Sequence, residues 1–126
     1  MSKILVIDDD VDLSAVAKGV LEREGFTVIL ASNGEEGLTQ ARKEKPDLII
    51  LDITMPVMDG YTFANEFNRD MTIANIPVVA LTSYVESPLD QPVPFQVAEW
   101  VKKPLKPKDL VLLVKKYLKN SRKATQ

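Results

Sequence analysis

Short apolar runs alternate with amphipathic stretches along most of the chain. Ile4-Leu5-Val6-Ile7 reads as a buried strand that ends in acids. Leu13, Val16, Ala17, Val20 and Leu21 then recur at helical spacing, and Gly25 supplies a stop signal. Thr27 to Ala31, β-branched and apolar, predicts a second strand. Asn33-Gly34 reads as a turn, after which Leu38 and Ala41 share one face of a second helix. Leu48-Ile49-Ile50-Leu51 is a third strand, again closed by an acid, Asp52. Met55 to Gly60 reads as a loop, and Ala64, Phe67 and Met71 mark the inner face of a third helix. Pro77 opens a fourth strand, Val78 to Leu81, and Trp100-Val101 lie near the end of a fifth. Leu110, Leu113, Val114, Tyr117 and Leu118 line one side of a last helix that has Pro107 near its start. The polar residues after Leu118 are expected to fray.

Continuous apolar strands separated by amphipathic helices predict an α/β fold with a parallel sheet covered on both faces. Right-handed crossovers leave few topologies. Five strands at this size favour a doubly wound, flavodoxin-like sheet of order 2-1-3-4-5. One stretch breaks the rhythm. Between the fourth and fifth strands, where a fourth helix is due, Pro88, Pro92 and Pro94 fall within seven positions. Each proline costs roughly 3 kcal/mol in a helix interior. The fourth helix is therefore expected to be missing or irregular across 85–96, an irregular loop.

The length, 126 residues, suits one domain with a core of its own. We place that domain at 1–120 and a short polar tail at 121–126. Cysteine and histidine are both absent, which excludes disulfides, thiolate and imidazole metal sites, cysteine nucleophiles and a phosphohistidine role. Chemistry is left to carboxylates, hydroxyls, lysines and backbone groups. The first apolar run is too short for a signal peptide or a membrane span, so a cytoplasmic protein without a membrane partner is expected. The net charge of −2 hides an asymmetry: Glu99 to Gln126 carries nine basic residues against two acidic ones. No arginine or aromatic pattern accompanies those lysines, so they read as a solvated helix face and direct nucleic-acid binding is not expected.

In the 2-1-3-4-5 order the first and third strands are neighbours, and ligands bind where their carboxyl ends meet. The first strand delivers Asp8, Asp9 and Asp10 to that edge, and the third delivers Asp52. Crowded carboxylates repel one another unless a cation compensates, and oxygen-only ligands suit Mg²⁺. Helix capping accounts for Asp10 or Asp12, but not for acids closing both central strands. Thr82 ends the fourth strand and Lys103 follows the fifth. A metal, a hydroxyl and an ammonium around an aspartate suit a phosphoryl group, with Asp52 as in-line nucleophile. Mg²⁺ and Lys103 would neutralise the phosphoryl oxygens, and Thr82 would donate a hydrogen bond.

Four segments carry a resemblance: Val6 to Asp10, Pro46 to Gly60, Ile76 to Ser83, and Trp100 to Leu105. In order and spacing they resemble the signature blocks of response-regulator receiver domains of two-component signalling, over residues 3 to about 118. The resemblance implies phosphorylation of Asp52 by a histidine kinase or histidine phosphotransfer protein, which supplies the histidine missing here. It implies Mg²⁺ held by Asp9, Asp52 and the backbone carbonyl of Thr54, with Asp8 acting through water. It assigns Thr82 and Trp100 to the switch and Lys103 to the phosphoryl site, with an unnamed downstream protein as the target of a phosphorelay. The proline-rich segment departs from the family pattern where the fourth helix borders the usual output face.

Two other readings remain open. A Mg²⁺-dependent aspartate-nucleophile phosphatase would use Asp8-Asp9-Asp10 as a D-x-D motif, but it needs further acids after the fourth strand, which ends Thr82-Ser83. A phosphorylation-independent binding module would keep the fold without the chemistry. Retention of Asp8, Asp9, Asp52, Thr82 and Lys103 together argues against it.

Overall fold

A computed structural model describes residues 2–52, 60–82, 98–102 and 105–124. In chain order it contains β1 (Lys3–Ile7), α1 (Val11–Arg23), β2 (Thr27–Ala31), α2 (Gly34–Glu44), β3 (Leu48–Asp52), α3 (Gly60–Arg69), β4 (Val78–Thr82), β5 (Glu99–Lys102) and α4 (Pro107–Ala124). The strands form one parallel sheet of order β2-β1-β3-β4-β5, as the alternation predicts. Residues 85–96, expected to lack a regular helix, lie outside the described residues.

Strand alternation sorts the core into two layers. Leu5 and Ile7, Ile49 and Leu51, and Val78 and Ala80 point to one face, where α2 and α3 cover them with Leu38, Ala41, Phe63 and Phe67. Ile4 and Val6, Leu48 and Ile50, and Val79 and Leu81 point to the other, under Leu21 of α1 and Leu110, Leu113, Val114 and Leu118 of α4. A fully buried side chain of this kind contributes roughly 1.5–3 kcal/mol. Both faces are therefore needed to hold the strand ends in place.

The helix ends follow local chemistry. Asp10 caps α1, its side chain accepting the Leu13 amide at 3.1 Å. At the other end Gly25 takes a positive φ of 96°. Phe26 N–H donates to Leu21 O and Gly25 N–H to Glu22 O, a Schellman closure sealed by apolar contact between Phe26 and Leu21. Asn33 and Gly34 are not a free turn. Asn33 caps α2 by accepting the Glu36 amide at 2.8 Å, and Glu36 reaches back to the Ser32 amide at 2.6 Å.

Three expectations from the periodicity are corrected. On α1, Leu13 and Val16 are 52% and 54% exposed, because the buried stripe runs through Ser14 and Leu21. Met71 is exposed, since α3 stops at Arg69 and the chain turns there, Asp70 accepting from the Thr72 amide and hydroxyl; Phe63 and Phe67 hold the inner face instead. The last helix continues past Leu118 to Ala124. The lysine-rich segment is largely this helix, and among its described residues Lys115 pairs with Glu24 and Lys116 with Glu99.

Candidate functional site at the carboxyl edge of the sheet

Register decides what meets at the sheet edge. Ile7 pairs with Leu51, so Asp8 emerges from β1 level with Asp52, the last residue of β3. The Asp8 amide donates to Ala31 O at 3.0 Å, which carries the β1–β2 ladder one residue beyond the strand. Asp8 Oδ1 then accepts the Asp10 amide at 2.9 Å, turning the chain sharply into α1. That turn leaves Asp9 exposed at the rim, whereas Asp8 is buried and Asp52 only 1% exposed.

One carboxylate oxygen from each of Asp8, Asp9 and Asp52 lies within 4.8 Å of the other two. Like charges about 5 Å apart repel by roughly 3 kcal/mol at the effective dielectric of a protein surface. An arrangement that gathers three of them is suited to a compensating cation. The donor set is all hard oxygen, and the exposed Asp9 leaves a side open for a partly hydrated ion, as small divalent cations require. Asp10 stands apart, its carboxylate engaged by the first turn of α1.

The backbone carries further groups toward the same edge. Asp52 pairs with Leu81, so Thr82, closing β4, comes next along the adjacent strand. Thr82 pairs with Lys102, the last residue of β5, and the chain continues directly into Lys103. Lys103 and Thr54 lie outside the described residues. Trp100 pairs with Ala80 and packs, partly buried, against the core layer under α2 and α3. Beside it, Glu99 accepts from Lys116 Nζ at 2.8 Å and from Tyr117 Oη at 2.7 Å, which ties the start of β5 to α4. Those bonds hold the Glu99 carboxyl below its ordinary value, and burial followed by the adjacent carboxylate pushes the Tyr117 hydroxyl up to about 12.

Residues 4–115 match the family model described as the response regulator receiver domain. The chain belongs to that family. The receiver is 35% identical over 125 residues to the probable transcriptional regulator ycf27 of Pyropia yezoensis, covering 98% of this chain and 50% of the relative. It is also 35% identical over 121 residues to the alkaline phosphatase synthesis transcriptional regulatory protein PhoP of Bacillus subtilis, covering 94% and 49%. Among solved structures, the chemotaxis protein CheY4 of Vibrio cholerae superposes with a TM-score of 0.83 at 30% identity, over 94% of this chain and 99% of that one. The receiver spans about half the length of the curated regulators it matches. Among the described residues, no helix is long and apolar enough to cross a membrane.

The site residues expected from the sequence divide in three. Asp8, Asp9 and Asp52 are brought together. Thr82 and Trp100 are placed by their strands on the neighbouring register. Lys103 and Thr54 are not described. One polar residue near the site escaped the sequence reading. Ser14 is buried on the inner face of α1, and its position seven residues before Leu21, two helical turns, was the available signal.

Proposed function

We propose that this receiver is the phosphoacceptor of a two-component phosphorelay, that Asp52 takes the phosphoryl group, and that Mg²⁺ is its cofactor. The observation that carries the reading is the convergence of Asp8, Asp9 and a nearly inaccessible Asp52 where two central strands end. Asp9 and Asp52, with the Thr54 carbonyl, would hold the ion, and Asp8 would act through a bound water. When bound, Mg²⁺ supplies neutralisation of the charge on the phosphoryl oxygens.

The remaining work falls to the chain itself. One Asp52 carboxylate oxygen attacks phosphorus in line as the P–N bond of a partner's phosphohistidine breaks. The bonding pair leaves with the imidazole nitrogen, which takes up a proton from water, and Asp52 becomes an acyl phosphate. The resemblance points to a histidine kinase or histidine phosphotransfer protein as the donor, and these 126 residues contain no histidine that could take its place. Burial at the strand end holds the Asp52 carboxylate in one attack direction. Lys103 would pair with a phosphoryl oxygen, and Thr82 would donate to another and move toward it, carrying the change to Trp100 and a downstream protein target. Water attack on the acyl phosphate later resets the switch.

Incubation with Mg²⁺ and acetyl phosphate tests the assignment. The intact chain should gain one phosphoryl group, stable to acid and labile to base, by mass spectrometry, and Asp52→Asn should gain none because an amide is a poor nucleophile. Full labelling of Asp52→Asn would place the acceptor elsewhere.

A further inference from the structure

β2 is an outer strand of the sheet, with β1 on one side and, among the described residues, no strand on the other. Parallel pairing turns alternate residues of such a strand toward its neighbour, each with both its N–H and its C=O. The Thr27 amide donates to Ser2 O at 2.9 Å and Ala31 O accepts the Asp8 amide at 3.0 Å, so Thr27, Ile29 and Ala31 face β1. Val28 and Leu30 therefore direct their N–H and C=O groups outward. The next amides on that side are already engaged: Phe26 N–H donates to Leu21 O, and Ser32 N–H to Glu36 Oε1 at 2.6 Å. The free edge is thus short and sharply bounded.

Natural sheets guard such an edge with charged side chains, proline or a bulge. Thr27-Val28-Ile29-Leu30-Ala31 has no charge and no proline, and its register with β1 runs unbroken over the whole strand. Ile29 on one face and Leu30 on the other are only partly buried by their core layers. A strand of this kind is complementary to itself. Set antiparallel to a second copy about a twofold axis at Ile29, it brings Val28 of each copy opposite Leu30 of the other. Antiparallel residues so placed exchange both of their hydrogen bonds. Every outward backbone group of both strands is then used. Ile29 falls opposite its own counterpart in the closely spaced, non-hydrogen-bonded position, where the two branched side chains cover each other. No like charges meet in this register.

We propose that β2 is a self-association edge: two copies of this chain pair antiparallel through Thr27–Ala31, with the twofold axis at Ile29, and join their sheets into one. The occupant is a second copy, because both the outward hydrogen-bonding groups and the uncharged side chains fit their own twofold image. One short strand from each copy makes a small interface, so the dimer exchanges with monomer as concentration changes. The contact runs along the side of the sheet and not across its carboxyl end, where Asp8, Asp9 and Asp52 converge. Association and phosphoryl transfer can therefore be tested apart.

Sedimentation velocity of the full chain over a concentration series, without Mg²⁺ or phosphodonor, should show monomer giving way to dimer. In the concentrated protein, hydrogen exchange at the Val28 and Leu30 amides should slow by about tenfold or more, because those amides gain partners. Ile29 and Ala31, already facing β1, should change much less. The chain has no cysteine, so a single introduced thiol reports the register. Ile29→Cys should cross-link to a dimer under mild oxidation, since the axis sets the two thiols within disulfide reach. Thr27→Cys is the more exposed position, but it lies about 13 Å along the strand from its counterpart, beyond that reach. It should cross-link about tenfold more slowly or not at all. A monomer at every concentration would overturn the proposal. So would a dimer whose Val28 and Leu30 amides exchange as fast as in the monomer, or equal cross-linking of the two variants. Because no phosphodonor is present, none of these results bears on Asp52 as acceptor.

Discussion

Asp10 gives its carboxylate to the Leu13 amide at 3.1 Å, while Asp9, its neighbour, has a carboxylate oxygen within 4.8 Å of those of Asp8 and Asp52. The difference comes from one hydrogen bond, from the Asp10 amide to Asp8 Oδ1, which starts the turn into α1 and splits the acidic run into a cap and a cluster. The two residues should respond oppositely to removal. Asp10→Ala should lower stability by about 1 kcal/mol, the usual worth of an N-cap, and leave Mg²⁺ affinity nearly unchanged. Asp9→Ala should raise the stability of the metal-free protein by relieving repulsion from Asp8 and Asp52, and weaken Mg²⁺ binding by more than about tenfold, since even an outer partner of a metal ligand is worth roughly 10–100-fold. Denaturant melts and Mg²⁺ titrations of the two variants check this, and equal losses of affinity would mean that the wrong acids were assigned to the ion.

The helices on one face of the sheet are seated by two contacts that the hydrophobic pattern does not announce. Gly37 lies where α2 crosses β1, and a Cβ there would sit 2.5 and 2.9 Å from two carbons of the Ile7 side chain. Ile7 is fully buried and has little room to give. Gly37→Ala, normally helix-favouring by up to about 1 kcal/mol, should instead destabilise by about 1–3 kcal/mol through overpacking. Thermal melts check the sign. At the end of α3, Asp70 accepts from Thr72 Oγ1 at 2.6 Å and pairs with Arg42 Nε of α2 at 2.8 Å. The Thr72 bonds, and then Arg42, hold the Asp70 carboxyl at about 2, below its ordinary 3.8. A depressed carboxyl contributes stability above its ordinary value and loses it as the pH falls toward the depressed one. The α2–α3 link should therefore weaken between about pH 4 and pH 2. NMR titration of the Asp70 carboxyl should show its midpoint rising in Thr72→Ala; an unmoved midpoint would remove Thr72 as the main cause. The same scale shows where periodicity misleads. Met71 continues the spacing of Phe63 and Phe67, but the Asp70 turn ends the helix before it, so the apolar residue falls outside the element that gave it meaning. Leu13 and Val16 keep helical spacing but lie at the mouth of a cleft between two helices, and no one-helix pattern can reveal such a cleft.

For the whole molecule, strand order and the acidic cluster were legible because both depend on features a sequence carries locally: uninterrupted apolar runs, and acids closing the first and third of them. Ser14 and the cleft were not, since they arise from the packing of α1 against α4 across long sequence separations. Signal transmission is also a property of that larger scale. Trp100 is the only tryptophan, and it sits on β5 opposite Ala80, two positions before the pairing of Lys102 with Thr82. Its ring packs on the core layer, while the preceding Glu99 is anchored to Lys116 and Tyr117 of α4. A movement at the carboxyl ends of β4 and β5 would therefore act on a strand whose start is anchored to α4, and Trp100 lies between that anchor and the strand's end. On the proposed assignment, phosphorylation of Asp52 would add nearly two negative charges one strand away from Thr82, enough to bias such a movement. Acetyl phosphate with Mg²⁺ should change the Trp100 fluorescence of the intact chain, and the change should decay as the acyl phosphate hydrolyses. Thr82→Ala should take up the phosphoryl group by mass spectrometry but lose most of the fluorescence change, because it lacks the hydroxyl proposed to follow the phosphoryl oxygen. A full fluorescence response in a labelled Thr82→Ala protein would take Thr82 out of the path between acceptor and β5. Lys103→Ala separates the steps from the other side: it should reduce labelling and fluorescence response together, since an ammonium that neutralises the phosphoryl group acts before any movement that follows from it.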